Sequence, residues 1–173
     1  MQVNGVWQVV LSLLMLLMIQ VVWGKPGIRP VDNPEYREEC GACHYAYPPG
    51  LLPKRSWEKL MINLENHFGE DAEIDKAIKS RLKIYMYTYG ASIDSEFGRE
   101  RTIAKSLSPS DVPERITSLK YIRHEHKDLT QQMVKYNDKV KSMSNCNACH
   151  TTIDSGRFEE DDIVIPGFGP WED

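Results

Sequence analysis

All four cysteines and two of the five histidines of this chain fall into two pentapeptides of one pattern, Cys40-Gly41-Ala42-Cys43-His44 and Cys146-Asn147-Ala148-Cys149-His150. Two cysteines at this spacing can bind zinc, cycle as a dithiol or close a disulfide. A histidine directly after the second cysteine, found twice, is instead the haem-attachment spacing. The thiols reach the two vinyl groups of one porphyrin, and the next imidazole swings beneath its iron. The sequence thus predicts two covalently bound haem c groups, on Cys40 and Cys43 and on Cys146 and Cys149, with His44 and His150 as proximal ligands. Those imidazoles must be neutral, and their ring nitrogens away from the iron are expected to be held by a backbone carbonyl or similar acceptor.

The sixth position on each iron decides between electron transfer and ligand chemistry. The remaining candidates are His67, His124 and His126, with Met61, Met86, Met133 and Met143 as rivals outside the apolar N-terminal run. A lone histidine on an apolar helix face is usually a core or surface residue, but two irons in need of partners reverse that expectation. His67 follows Leu60 and Leu64 at helical spacing. His126 shares a stripe with Ile122 and Leu129, whereas His124 points toward Arg123 and Lys127. The expected pairs are therefore local, His44 with His67 and His150 with His126, although a crossed pairing would satisfy the same inventory. The methionines are accounted for as helix-face core filler. Bis-histidine ligation leaves both irons six-coordinate, with lower potentials than histidine–methionine ligation. There is no Ser-His-Asp set, general-base constellation or phosphate-binding glycine loop to suggest other catalysis.

Elements must carry these residues. The proline-rich, charged stretch 25–39 is expected to be an extended surface arm, and Tyr45 to Pro53 a stiff apolar loop, since three prolines forbid a regular helix there. Ser56 is a candidate N-cap for a helix running to about Phe68, with Trp57, Leu60, Met61 and Leu64 on one face. A second helix opens at Asp71, carries Ile74, Ile78, Leu82, Tyr85, Met86 and Tyr89, and stops at Gly90. Residues 91–113 are expected to be an irregular link, and 114–143 mostly helical with the stripe Ile116, Leu119, Ile122, His126, Leu129 and Met133. The acidic run Glu159 to Asp162 is a solvated tail or a docking patch for a basic partner, and no strand pattern stands out. The expected fold is mainly α, with residues 91–113 linking two halves of the molecule.

Composition sets the location. Residues 1–24 hold no charge and an apolar run from Val6 to Trp23, which predicts an export signal cleaved after Gly24, with an uncleaved N-terminal membrane anchor as the alternative. All 21 basic and 25 acidic residues follow it, leaving a net charge of −4 and no basic stripe for nucleic acid. The periplasm is the expected compartment.

The residues go beyond the two pentapeptides. Cys40 to Trp57, including His44-Tyr-Ala-Tyr-Pro-Pro-Gly-Leu-Leu-Pro53, then Asn63 to Asp71, Arg115-Ile116, Glu125-His126-Lys127, Cys146 to His150 and Gly156 to Glu159 together resemble the dihaem cytochrome c family. Where that family has an aromatic-rich segment after Arg115-Ile116, this chain has Ser118-Leu119-Lys120-Tyr121. The resemblance implies a periplasmic dihaem carrier with histidine axial ligands, in agreement with His67 and His126, built as two small helical haem-binding domains, 25–100 for haem 1 and 101–173 for haem 2, the second cytochrome c-like. It also implies an oxygen-binding monohaem cytochrome and a membrane b-type cytochrome as redox partners. The function expected is single-electron transfer between a membrane quinol-linked donor and a periplasmic haem-protein acceptor; the alternative is a haem peroxidase or small-molecule reductase with one open iron.

Overall fold

The computed structural model describes residues 25 and 27–172. The export signal expected at 1–24 lies outside the described residues, and none of the described helices is long and apolar enough to cross a membrane.

The chain is mainly helical. Its first helix, α1 (Pro34–Gly41), replaces the surface arm expected there. Asn33 caps it by accepting the Tyr36 amide at 3.0 Å, and Pro34 stands at the first helical turn, where a missing N–H costs nothing. Ile28, Val31 and Tyr36 are buried, so this segment is core. Tyr45 to Pro53 is the irregular apolar run expected, tightened by a 3₁₀ turn at Pro49–Leu51. It is sunk deep: Pro48, Pro49, Gly50, Leu51 and Leu52 are all buried, and the Trp57 indole donates to the Pro49 carbonyl at 2.6 Å.

Helix α2 (Lys54–Ile62) starts two residues earlier than Ser56 and stops well short of Phe68. Ser56 is inside it and buried, while Pro53 takes the N-cap position. Beyond Ile62 the Asn63 side chain donates to the Asn66 carbonyl at 3.3 Å, a local bond that competes with helix continuation. A 3₁₀ turn, Leu64–Asn66, follows. The apolar periodicity was sound as far as Leu64, since Trp57, Leu60, Met61 and Leu64 are buried. Phe68 breaks it, being 45% exposed. Helix α3 (Lys76–Tyr89) is capped by Asp75 rather than opened by Asp71, with the carboxylate accepting from Ala77 and Ile78. It buries Leu82, Tyr85 and Met86 and packs along α2. Gly90 ends it, where a Cβ would lie 3.0 Å from the Lys54 backbone nitrogen.

Two expectations for the second half fail. Residues 91–113 contain helix α4 (Gly98–Lys105), which buries Ile103 and Glu100. The long helix expected over 114–143 shrinks to a 3₁₀ turn, Ile116–Ser118, and a short α5 (Lys120–Glu125). Residues 126–145 are turns. Part of the apolar stripe has a different purpose from helix packing: Ile116, Ile122 and Leu129 line one cavity, together with Val134, Val140 and Met143 from the turns that follow.

The C-terminal segment is a series of 3₁₀ turns, Cys146–Ala148, Ile153–Ser155 and Glu160–Asp162. It closes with a small antiparallel ribbon of β1 (Val164–Ile165) and β2 (Gly169–Pro170). The ribbon is the one strand pair among the described residues, and the sequence analysis had not expected it. The acidic run is not a free tail, because its last residue pairs with Arg157 at 2.7 Å. The buried apolar cluster extends from Ile28 through all three N-terminal helices to Ile103 and Leu119, with Phe158 packed against it.

Candidate haem sites

Helix α1 delivers Cys40 at its C-terminal end, and Cys43 and His44 follow in the turn beyond it. His67 comes from a different element. It heads a four-residue turn, with its amide donating to the Glu70 carbonyl at 2.8 Å and the Glu70 amide donating back at 3.3 Å. Both central residues have positive φ, 58° at Phe68 and 104° at Gly69. A left-handed phenylalanine is strained. It is held from both sides, by the His67 ring at 4.8 Å and by the Arg115 guanidinium 3.9 Å over its face. The result is that His67 faces His44 with ring centroids 6.2 Å apart and planes 25° from parallel.

His44 donates its Nδ1–H to the Tyr45 carbonyl at 2.7 Å, the expected second-shell bond, which leaves Nε2 to ligate. His67 has no such partner; its Nδ1 is buried without a hydrogen bond. Burial lowers the His67 pKa first, with His44 and Arg115 acting the same way, so the ring is kept in the neutral, ligating form. Burial also pushes the Cys40 thiol up to about 11.

At the second site the anchoring is reversed. His126 sits at the C-terminal end of α5 and donates its Nδ1–H to the Ile122 carbonyl at 2.7 Å. His150 was expected to be the anchored ring, yet its Nδ1 is buried without a partner. The apolar Phe158 ring packs 5.2 Å from the His150 ring. The two imidazoles are 5.9 Å apart and inclined at 70°. Burial holds the His150 pKa down to about 4, aided by His126 and Arg99. Cys146 is likewise pushed up to about 11 by burial.

These residues open onto a cavity of about 480 Å³ lined by Cys146, Cys149, His126 and His150 together with an apolar wall. His124 is on the rim, exposed, and His126 is the ring that meets His150. The segment Ser118 to Tyr121, which departs from the family pattern, still packs: Leu119 is buried and the Tyr121 hydroxyl accepts from Arg99 at 2.8 Å.

The donor set fits haem. Two imidazoles on opposite faces of a metal, at metal–nitrogen lengths of about 2.0–2.1 Å, have ring centroids roughly 6 Å apart. Both pairs meet that spacing. Among the described residues no group of three histidine, cysteine or acidic side chains could hold a bare metal ion. A pair of histidines matches the two axial positions that a porphyrin leaves open. The cavity volume lies in the range of about 300–1,000 Å³ usual for small-molecule and cofactor sites. All four cysteines are free of disulfides, as thioether formation requires.

A family model for dihaem cytochrome c matches residues 36–158, a span that includes both pentapeptides and both facing histidines. The chain belongs to the dihaem cytochrome c family. Two solved structures agree. The diheme cytochrome type c of Shewanella baltica is 36% identical, with a TM-score of 0.66 over 81% of this chain and 98% of that one. A diheme cytochrome c from Rhodobacter sphaeroides is 41% identical, again with a TM-score of 0.66, over 75% of this chain and 98% of its own. A search of curated protein sequences finds no match. Membership in this family implies two haem c groups and electron transfer.

The sequence does not single out the residues around the candidate ligands: Phe68 falls at the end of an expected helix, Arg115 in a family motif and Tyr47 in a stiff apolar loop. A phenylalanine directly before Gly69 and after a candidate ligand was the one available signal of a turn at that point.

Proposed function

We propose that this dihaem cytochrome is a periplasmic single-electron carrier with bis-histidine ligation at both irons. His44 and His67 would hold haem 1 and His150 and His126 haem 2. The proposed division has residues 25–100 around the first site and 101–173 around the second, with a membrane quinol-linked donor and a periplasmic haem-protein acceptor. Candidate partners are an oxygen-binding monohaem cytochrome and a membrane b-type cytochrome, and export would follow cleavage after Gly24. The observation that carries the reading is the convergence of two histidine pairs from distant chain segments, each at axial-ligand spacing.

Bound haem supplies a reversible one-electron couple. The chain does the rest. The cysteine pairs would attach each haem covalently, and the facing imidazoles would serve as its two protein ligands, leaving no position at the iron for a substrate. The Tyr45 and Ile122 carbonyls hold one ring of each pair in orientation, and burial keeps His67 and His150 neutral. The apolar wall excludes water and limits reorganisation during electron transfer.

Low-temperature EPR and near-infrared magnetic circular dichroism of the oxidised holoprotein test the proposal. Two low-spin bis-histidine haems are expected, and H67A and H126A should each turn one haem high-spin. If neither variant does, the ligand assignment fails. Stoichiometric carbon monoxide binding to the reduced wild-type protein would point to an open iron and an enzyme.

A further inference from the structure

The two haem segments lie about a hundred residues apart in the chain, yet an unbroken set of contacts joins them. The Tyr47 ring stacks on His44, with centroids 4.9 Å apart and planes inclined at 22°. Its hydroxyl donates to the Ser144 carbonyl at 2.7 Å. That same carbonyl lies 3.6 Å from Cys146 Sγ. Three contacts therefore lead from an imidazole of the first site to an attachment sulfur of the second. The S–H is lost when the thioether forms, but the sulfur remains beside Ser144.

Tyr47 is held in place on every side. The Tyr36 hydroxyl, itself in the core, donates to the Tyr47 carbonyl at 2.6 Å. Pro48 and Pro49 stiffen the backbone after it. Tyr45 packs edge-on at 6.0 Å, and its own hydroxyl reaches across to Asp154 at 3.1 Å. Haem attachment demands none of this, because the pentapeptide and its ligands are complete without a tyrosine at this position.

We propose that Tyr47 is a positioning residue that couples the two haem sites and governs electron exchange between them, an inference that rests on the two-haem reading above. In the exchange one electron leaves the ferrous iron of one site, making it ferric, and reduces the ferric iron of the other. No bond or proton moves, and the phenol is neither oxidised nor deprotonated. Electronic coupling decays more slowly through packed rings and hydrogen bonds than through a gap, so the Tyr47 contacts are the favourable route between the sites.

The test uses the half-reduced holoprotein, in which two-dimensional NMR exchange between haem methyl resonances gives the intramolecular rate. Y47L removes both contacts and is expected to slow exchange several-fold. Y47F keeps the stack and loses the hydroxyl bond, and should slow exchange less. The EPR lines and reduction potentials of both haems should match wild type. Unchanged exchange in Y47L overturns the proposal. Slower exchange accompanied by a high-spin or shifted haem 1 also overturns it, since Tyr47 would then only pack His44. If Y47L does not accumulate, Y47F decides: no slowing at all overturns the hydroxyl link. Failure of the two-haem reading would show separately, as wild-type EPR lacking two bis-histidine signals.

Discussion

The four ligand candidates reach their sites by different means, and the difference has an electronic consequence. His44 and His67 are nearly parallel, whereas His126 and His150 are steeply inclined. Each imidazole donates π density to the iron d orbital that lies perpendicular to its plane. Parallel planes act on the same orbital and split the two; perpendicular planes leave them nearly degenerate. Haem 1 is therefore expected to give a rhombic low-spin EPR signal and haem 2 a highly anisotropic one with a single large g value. H67A should remove the rhombic signal and H126A the anisotropic one. Two signals of the same type would show that the imidazole orientations at one site differ from those described here.

Among the elements, the packing of α1 on α3 shows how far burial reaches. Tyr36 and Tyr85 meet at 5.3 Å, and Tyr85 also donates to Asp32 at 3.2 Å. Burial, with Asp32 adding, pushes the Tyr85 phenol up to about 12, and burial raises Tyr36 as well. An unfolded tyrosine ionises near 10. Above that pH the unfolded chain has lost a proton that the folded chain still holds, so stability is full below pH 10 and falls as pH rises toward 12. Urea unfolding of the holoprotein should show this decline between pH 10 and pH 12, and Y85F should reduce the decline even though it loses the Asp32 bond. An equal decline in Y85F would assign the alkaline loss to other groups. The same elements show what could be read from the residues alone. Where an apolar face packs on another helix, as from Trp57 to Met61 and from Leu82 to Met86, its periodicity matches the helix. Where the apolar residues face the cavity, as at Ile116, Ile122 and Leu129, the spacing misleads, because a wrapped loop and a helix can present the same stripe. His67 and His126 remain the candidates that face His44 and His150, because the scarcity of histidines restricts axial ligands whatever backbone carries them. The strained Phe68 turn and the Ser144 contact were not legible, since each depends on a residue distant in the chain.

For the whole molecule, the question is what holds the N-terminal and C-terminal haem segments in one arrangement. Part of the answer is a backbone crossing at Gly27 and Gly156. The Ile28 amide donates to the Gly156 carbonyl at 2.9 Å, and both glycines have positive φ, 76° and 74°. A Cβ on Gly27 would stand 2.2 Å from the Gly156 oxygen, and one on Gly156 would stand 2.0 Å from the Ile28 oxygen. Neither contact can be relieved by a side-chain rotation, because both neighbours are backbone. Gly156 also ends the 3₁₀ turn Ile153–Ser155, two residues beyond the aspartate that Tyr45 engages. G156A should therefore combine left-handed strain with a forced separation of the crossing chains, costing about 2–4 kcal/mol. The haem ligands are not touched, so the oxidised EPR spectrum should keep both low-spin signals while the urea midpoint drops. Electron exchange between the haems should slow along with the loosened Tyr45 and Tyr47 contacts. A variant as stable as wild type would mean that the crossing is not what joins the two haem segments.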